Sequence, residues 1–191
     1  MKITLLGDSI RLIGYGKKTE ELLGSEFEVF EPEDNCRFSK YMLRGIFDWA
    51  NQMEGSRIVH FNCGLWDICN LFGDGTFTTE AEYIENMCRI ADILLSKYDK
   101  VIFATTTPVS EKNIYNKNSD IEKFNAIITP VFKEKGIIIN DLYSLIASDI
   151  DRYISEDTIH LSGEGIEIAA MQVAEVIKKT ADELKECQDY E

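Results

Sequence analysis

The chain has 191 residues, 45% of them hydrophobic, which fits a single domain over residues 1–191 with a substantial core. Its net charge of -14, without a basic patch, argues against nucleic acid or an anionic membrane surface as a partner and suits a neutral or cationic small molecule. Five cysteines (Cys36, Cys63, Cys69, Cys88, Cys187) are odd in number and lack paired metal spacing, so free thiols in a reducing, cytoplasmic setting are the simplest account and no metal is expected.

The first apolar run, residues 2–6, reads as a strand ending at Gly7, too short for a secretory leader or a membrane span. Residues 26–30 alternate with period two and read as a second, half-exposed strand. A helix follows near 39–53, carrying Met42, Ile46, Phe47, Ala50 and Met53 on one stripe. Residues 57–61 form a third strand. Thr79 and Glu82 offer a capping box to a helix whose apolar stripe runs from Ile84 to Tyr98. Residues 100–104 form a fourth strand. A helix near 119–134 is expected to kink at Pro130, and residues 136–139 form the fifth strand. Asn140-Asp141 reads as a helix start, Ser162 as a cap, and Ile166 to Leu184 as the stripe of the last helix.

Strand–helix alternation of this kind implies an α/β fold, a parallel five-stranded sheet covered on both faces in the order 2-1-3-4-5. Ligands of such sheets bind beyond the carboxyl ends of the strands, here just after Leu6, Phe30, Phe61, Ala104 and Ile139. The irregular stretches 69–78 and 107–118 fall on that edge.

Ser9 lies just past the first strand, behind Gly7, which frees the backbone to turn. A serine hydroxyl is a weak nucleophile without a base. The chain has two histidines, His60 on an apolar strand and His160 just before the last helix. His60 reads as a satisfied core residue. Asp157 and His160 stand three residues apart on a turn, a spacing that brings a carboxylate to one ring nitrogen and leaves the other for the serine proton. Separately, a turn serine and an incidental Asp–His pair are both commonplace.

Taken as a pair, Gly7-Asp8-Ser9-Ile10 and Asp157-Thr158-Ile159-His160-Leu161-Ser162 resemble the first and last sequence blocks of the SGNH/GDSL hydrolases. Asn35-Cys36-Arg37-Phe38-Ser39-Lys40 and His60-Phe61-Asn62-Cys63-Gly64-Leu65-Trp66-Asp67 fall where that family has its second and third. The resemblance implies a flavodoxin-like three-layer α/β/α sandwich and cofactor-free ester hydrolysis, with Ser9 as nucleophile, His160 as general acid–base and Asp157 as its orienter. Lys40 occupies the place of the second block's oxyanion glycine, and Trp66 that of the third block's asparagine. A subgroup with Gly-Asp-Ser-Ile-Arg and His-x-Asn-x-Gly-Leu-x-Asp looks similar, which favours a shifted donor. Asn62 and the amides of Ser9 and Gly64 are the expected oxyanion donors. Asp8, Arg37 and Trp66 are placed with the substrate, Arg11 and Arg37 otherwise serving as structural salt bridges and Trp66 as packing. The expected substrate is a small-molecule ester, a short acyl group on a carbohydrate. Lysophospholipids, thioesters and a non-catalytic binding module on the same scaffold are the alternatives.

Overall fold

A computed structural model describes residues 1–188. The strands are β1 (Lys2–Leu6), β2 (Glu28–Phe30), β3 (Ile58–Asn62), β4 (Lys100–Ala104) and β5 (Ile138–Asn140). All pair in parallel, in the order β2-β1-β3-β4-β5. The helices are α1 (Gly16–Leu23), α2 (Ser39–Asp48), α3 (Ala50–Met53), α4 (Leu65–Ile68), α5 (Glu80–Leu95), α6 (Asn118–Glu134), α7 (Leu142–Ala147), α8 (Ile150–Tyr153) and α9 (Gly163–Gln188). Helices α1, α7 and α9 pack together on one side, with α9 reaching β3 and β5; α2, α5 and α6 cover the other. The result is the expected flavodoxin-like α/β/α sandwich.

The central strand shows why the order holds. Every residue of β3 is buried, so a run of apolar side chains is satisfied on both faces of the sheet. At the edge, β2 is half exposed, and Glu26 leaves it for a single 3-10 turn, Gly24–Glu26. The helix expected over 39–53 breaks at Trp49, where the backbone leaves helical geometry (φ -96°, ψ 6°). The Trp49 ring folds over Gly45, where a Cβ would meet it at 2.4 Å. Helix α6 runs unbroken past Pro130. The carbonyl that proline deprives of a partner belongs to exposed Ala126, so water can serve it. Thr79 and Glu82 form the expected capping box. Cys36, Cys63, Cys69 and Cys88 are free thiols; the side chain of Cys187 lies outside the described residues.

A π-helical turn, Arg11–Tyr15, leads from β1 into α1 and carries a fully buried arginine. The Arg11 guanidinium donates to Glu31 Oε2 (3.2 Å) and to the carbonyls of Pro32 (2.9 Å), Asp34 (2.8 Å) and Gly7 (3.3 Å). It therefore ties the exit of β2 to the turn after β1, the structural role weighed for it from sequence. Replacing this cation leaves several buried carbonyls without their donor and leaves the nearly buried Glu31 carboxylate to Lys17 alone. Arg11→Met is expected to cost roughly 3–5 kcal/mol in urea denaturation, well beyond an ordinary surface change; a loss under about 1 kcal/mol would contradict the clamp.

Candidate active site

The turn after β1 is closely fitted. Gly7 donates its amide to Cys36 Sγ (3.2 Å) and accepts the Cys36 amide on its carbonyl (3.1 Å). A Cβ on Gly7 would lie 2.1 Å from Asn62 Oδ1 and 2.7 Å from Arg11 Cβ, so only glycine fits. Asp8 accepts the amides of Arg11 and Leu12 on its carbonyl and that of Ile10 on Oδ1 (2.9 Å). Ser9 thus opens a helical turn at the carboxyl edge of the sheet, half-buried.

From the far end of the chain comes the segment before α9. Ile154 and Leu161 form an antiparallel bridge, and the Ser155 amide donates to the His160 carbonyl (2.7 Å). Between them Asp157 Oδ1 accepts the amides of Ile159 (3.0 Å) and His160 (2.9 Å) and the Ser155 hydroxyl (2.8 Å). Thr158 takes a left-handed conformation (φ 77°), held by the Ser110 amide on its carbonyl (2.9 Å) and by Asn113 Nδ2 on its hydroxyl (3.0 Å). Asp157 Oδ2 then lies 2.7 Å from His160 Nδ1, and His160 Nε2 lies 2.8 Å from Ser9 Oγ, across 151 positions of sequence. Partial burial alone would raise the Asp157 carboxyl; the two amides, the imidazole and the serine hydroxyl outweigh it and hold the group well below the usual carboxylate range. It remains an anion at any working pH, able to fix the ring tautomer and to stabilise an imidazolium.

Beside this row lies a buried polar set. Asn62 accepts the Tyr15 hydroxyl on Oδ1 (2.7 Å) and donates through Nδ2 to Asp8 Oδ1 (2.8 Å). One of its two amide hydrogens is therefore committed to the turn that carries Ser9. Asp8 is 1% exposed, which corrects its expected place among substrate contacts: its bonded oxygen faces Asn62 and the Ile10 amide, and its other oxygen is buried without a partner. Burial lifts the Asp8 carboxyl to about 6, against the pull of Asn62, the Ile10 amide and the Arg11 cation. His60 is a core residue: its Nε2 meets Asn140 Nδ2 (3.2 Å), its Nδ1 has no partner, and burial pushes it down to about 3.

The other expected residues spread along the same edge. A Cβ on Gly64 would strike Thr106 Oγ1 at 2.1 Å, so the chain passes Thr106 only as glycine. Trp66 follows on α4, 41% exposed. Arg37 is exposed, at φ 49°, with its guanidinium 4.7 Å from the centre of the Tyr41 ring. Lys40 is exposed on the first turn of α2.

Sequence reasoning quoted Asp67 in the third block but gave it no role; it accepts the Ser39 amide (2.9 Å) and hydroxyl (2.7 Å) and so joins the start of α2 to α4. Its position three residues after Gly64 was the available signal. Sequence reasoning missed Tyr15 and Asn113, whose roles depend on contacts distant in sequence.

Asp8 generates a test. Its carboxyl holds a proton more tightly folded than unfolded, so its share of stability is gained as pH falls through about 6 and lost as pH rises. The penalty at neutral pH is on the order of 3 kcal/mol. Asp8→Asn keeps the acceptor for Asn62 and Ile10 without the charge. In urea titrations its stability relative to the native chain is expected to improve by about 2 kcal/mol between about pH 4.5 and pH 7.5. A gap that stays constant with pH would refute a raised Asp8.

No protein-family model matches the sequence. The chain is 30% identical to the GDSL esterase/lipase CPRD49 of Arabidopsis thaliana over 209 residues, spanning 93% of this chain and 79% of that protein. Among solved structures, the acetyl xylan esterase AlAXEase superposes with a TM-score of 0.77 at 20% identity, covering 93% of this chain and 100% of the other. The lipase/acylhydrolase from Enterococcus faecalis superposes with a TM-score of 0.75 at 20% identity, covering 94% and 96%.

Proposed function

The chain belongs to the GDSL esterase/lipase family and is a carboxylic ester hydrolase; from that premise we propose that Ser9, His160 and Asp157 are its catalytic residues and that it removes a short acyl group from a carbohydrate. The observation that carries the assignment is the unbroken row Ser9 Oγ, His160 Nε2, His160 Nδ1, Asp157 Oδ2, with contacts of 2.8 and 2.7 Å.

Ser9 Oγ attacks the acyl carbon while its proton passes to His160 Nε2. Asp157 stabilises the imidazolium so formed. Negative charge gathers on the carbonyl oxygen of the tetrahedral intermediate, and donors must already point at it. We assign these to the amides of Ser9 and Gly64, with the second Nδ2 hydrogen of Asn62 as a third. His160 then protonates the alcohol oxygen, the acyl–oxygen bond breaks, and the acyl group stays on Ser9. Water, deprotonated by the same imidazole, releases the acid.

For the substrate, the support is the structural likeness to acetyl xylan esterases, together with exposed Trp66 and Arg37 at the carboxyl edge. Lys40 and Trp66, where the family has glycine and asparagine, favour a second reading, a binding module without turnover. p-Nitrophenyl acetate separates the two. Turnover is expected, and Ser9→Ala should reduce it by about a thousandfold or more while circular dichroism stays unchanged. A fluorophosphonate should add its mass at Ser9 alone. Folded protein that neither labels nor hydrolyses this ester would favour the binding module.

A further inference from the structure

The loops at the carboxyl edge hold apolar side chains out in water. Phe72 is 81% exposed, Ile114 79%, Tyr115 49%, Leu71 48% and Trp66 41%. Single exposed apolar residues are ordinary; five of them on loops bonded to one another and to the turn that carries His160 are not. Leu71 and Phe72 lie between α4 and α5, Ile114 and Tyr115 between β4 and α6. The two loops are joined where the Asn70 amide donates to the Tyr115 carbonyl (2.8 Å). Asn116 Nδ2 donates to the carbonyl of Leu65, next to Trp66 (2.8 Å). The same 107–118 segment reaches the His160 loop through Ser110 and Asn113, both bonded to Thr158. The five residues therefore stand on one ledge of loops, hydrogen-bonded through main chain and asparagines, that begins at the residue after Asp157.

We propose that this ledge holds the alcohol part of the ester, and that this alcohol carries a ring with an apolar face, a sugar on the reading above, on which the inference rests. When the acyl–oxygen bond breaks, the alcohol oxygen takes its proton from His160 Nε2. The alcohol therefore leaves on the imidazole side. The ledge is anchored to the imidazole's own loop, so whatever is attached to the leaving oxygen extends across it. Trp66, Phe72 and Tyr115 supply flat surfaces that pack against the C–H face of a sugar ring, and Leu71 and Ile114 extend them. An anionic lipid surface is disfavoured by the net charge of -14.

The test uses the full chain and the double variant Phe72→Ala/Tyr115→Ala, whose replaced side chains are exposed. kcat/KM is measured for an acetylated xylo-oligosaccharide, ethyl acetate and ethyl octanoate. The oligosaccharide-to-ethyl-acetate ratio is expected to fall about tenfold, mainly through KM, as losing two ring contacts implies. The octanoate-to-acetate ratio should hold. If the octanoate ratio falls instead, the ledge serves the acyl group and the proposal is overturned; unchanged ratios overturn it as well. Calorimetric titration of Ser9→Ala with the same oligosaccharide judges the ledge independently of turnover. Binding that weakens about tenfold when the double variant is added supports the proposal, and absent or unaltered binding overturns it. A protein that binds in this way yet hydrolyses none of the esters refutes the esterase reading while sparing the ledge.

Discussion

A fully buried guanidinium is the piece on which the rest of the structure depends. Arg11 comes two residues after Ser9, and it gathers the carbonyls of Gly7, Pro32 and Asp34 around one charge. That single cation fixes the end of β1 relative to the end of β2, and with them the segment that carries Cys36 against Gly7. A charge taken wholly out of water is tolerable only when its donors find acceptors in good geometry. The site inherits its precision from that requirement, because the carbonyls that satisfy Arg11 belong to the loops that position Ser9.

Two further constraints converge on the same turn. Gly7 cannot accept a side chain without displacing Asn62, and Asn62 is held in turn by Tyr15. Asp8 is bound on one oxygen and bare on the other, so it contributes order at an energetic cost. Stability is given up beside Ser9 and recovered in the core, where β3 and β4 are buried along nearly their whole length.

Much of the fold was legible in the sequence because it depends on local pattern. Strands β1 and β4 fall at the expected residues, the others within two, and the capping box at Thr79 reads directly from residue types. The pairing of Ser9 with the Asp157–His160 turn came from the resemblance of the two end blocks to the SGNH/GDSL pattern, and the fold does bring the two together. What could not be read depends on contacts distant in sequence. The turn Arg11–Tyr15 contains a buried charge that any hydropathy pattern assigns to the surface. Asn62 looked like a free donor because nothing in its neighbourhood reveals Tyr15 and Asp8. The break at Trp49 arises from a ring folded over Gly45, which the apolar stripe of 39–53 conceals.

The arch at Ile114 and Tyr115 is pinned through its main chain, while the two side chains at its crown stand out in water. Asn113 Oδ1 accepts the amides of Tyr115 and Asn116, while Asn113 Nδ2 holds Thr158. Residues at the crown can change their side chains without moving the feet, because the bonds that secure the arch run through Asn113 and the main chain. Evolutionary drift at those two positions is thereby insulated from the imidazole. A lineage carrying this arrangement can explore new preferences for what the ester is attached to while its chemistry stays in register.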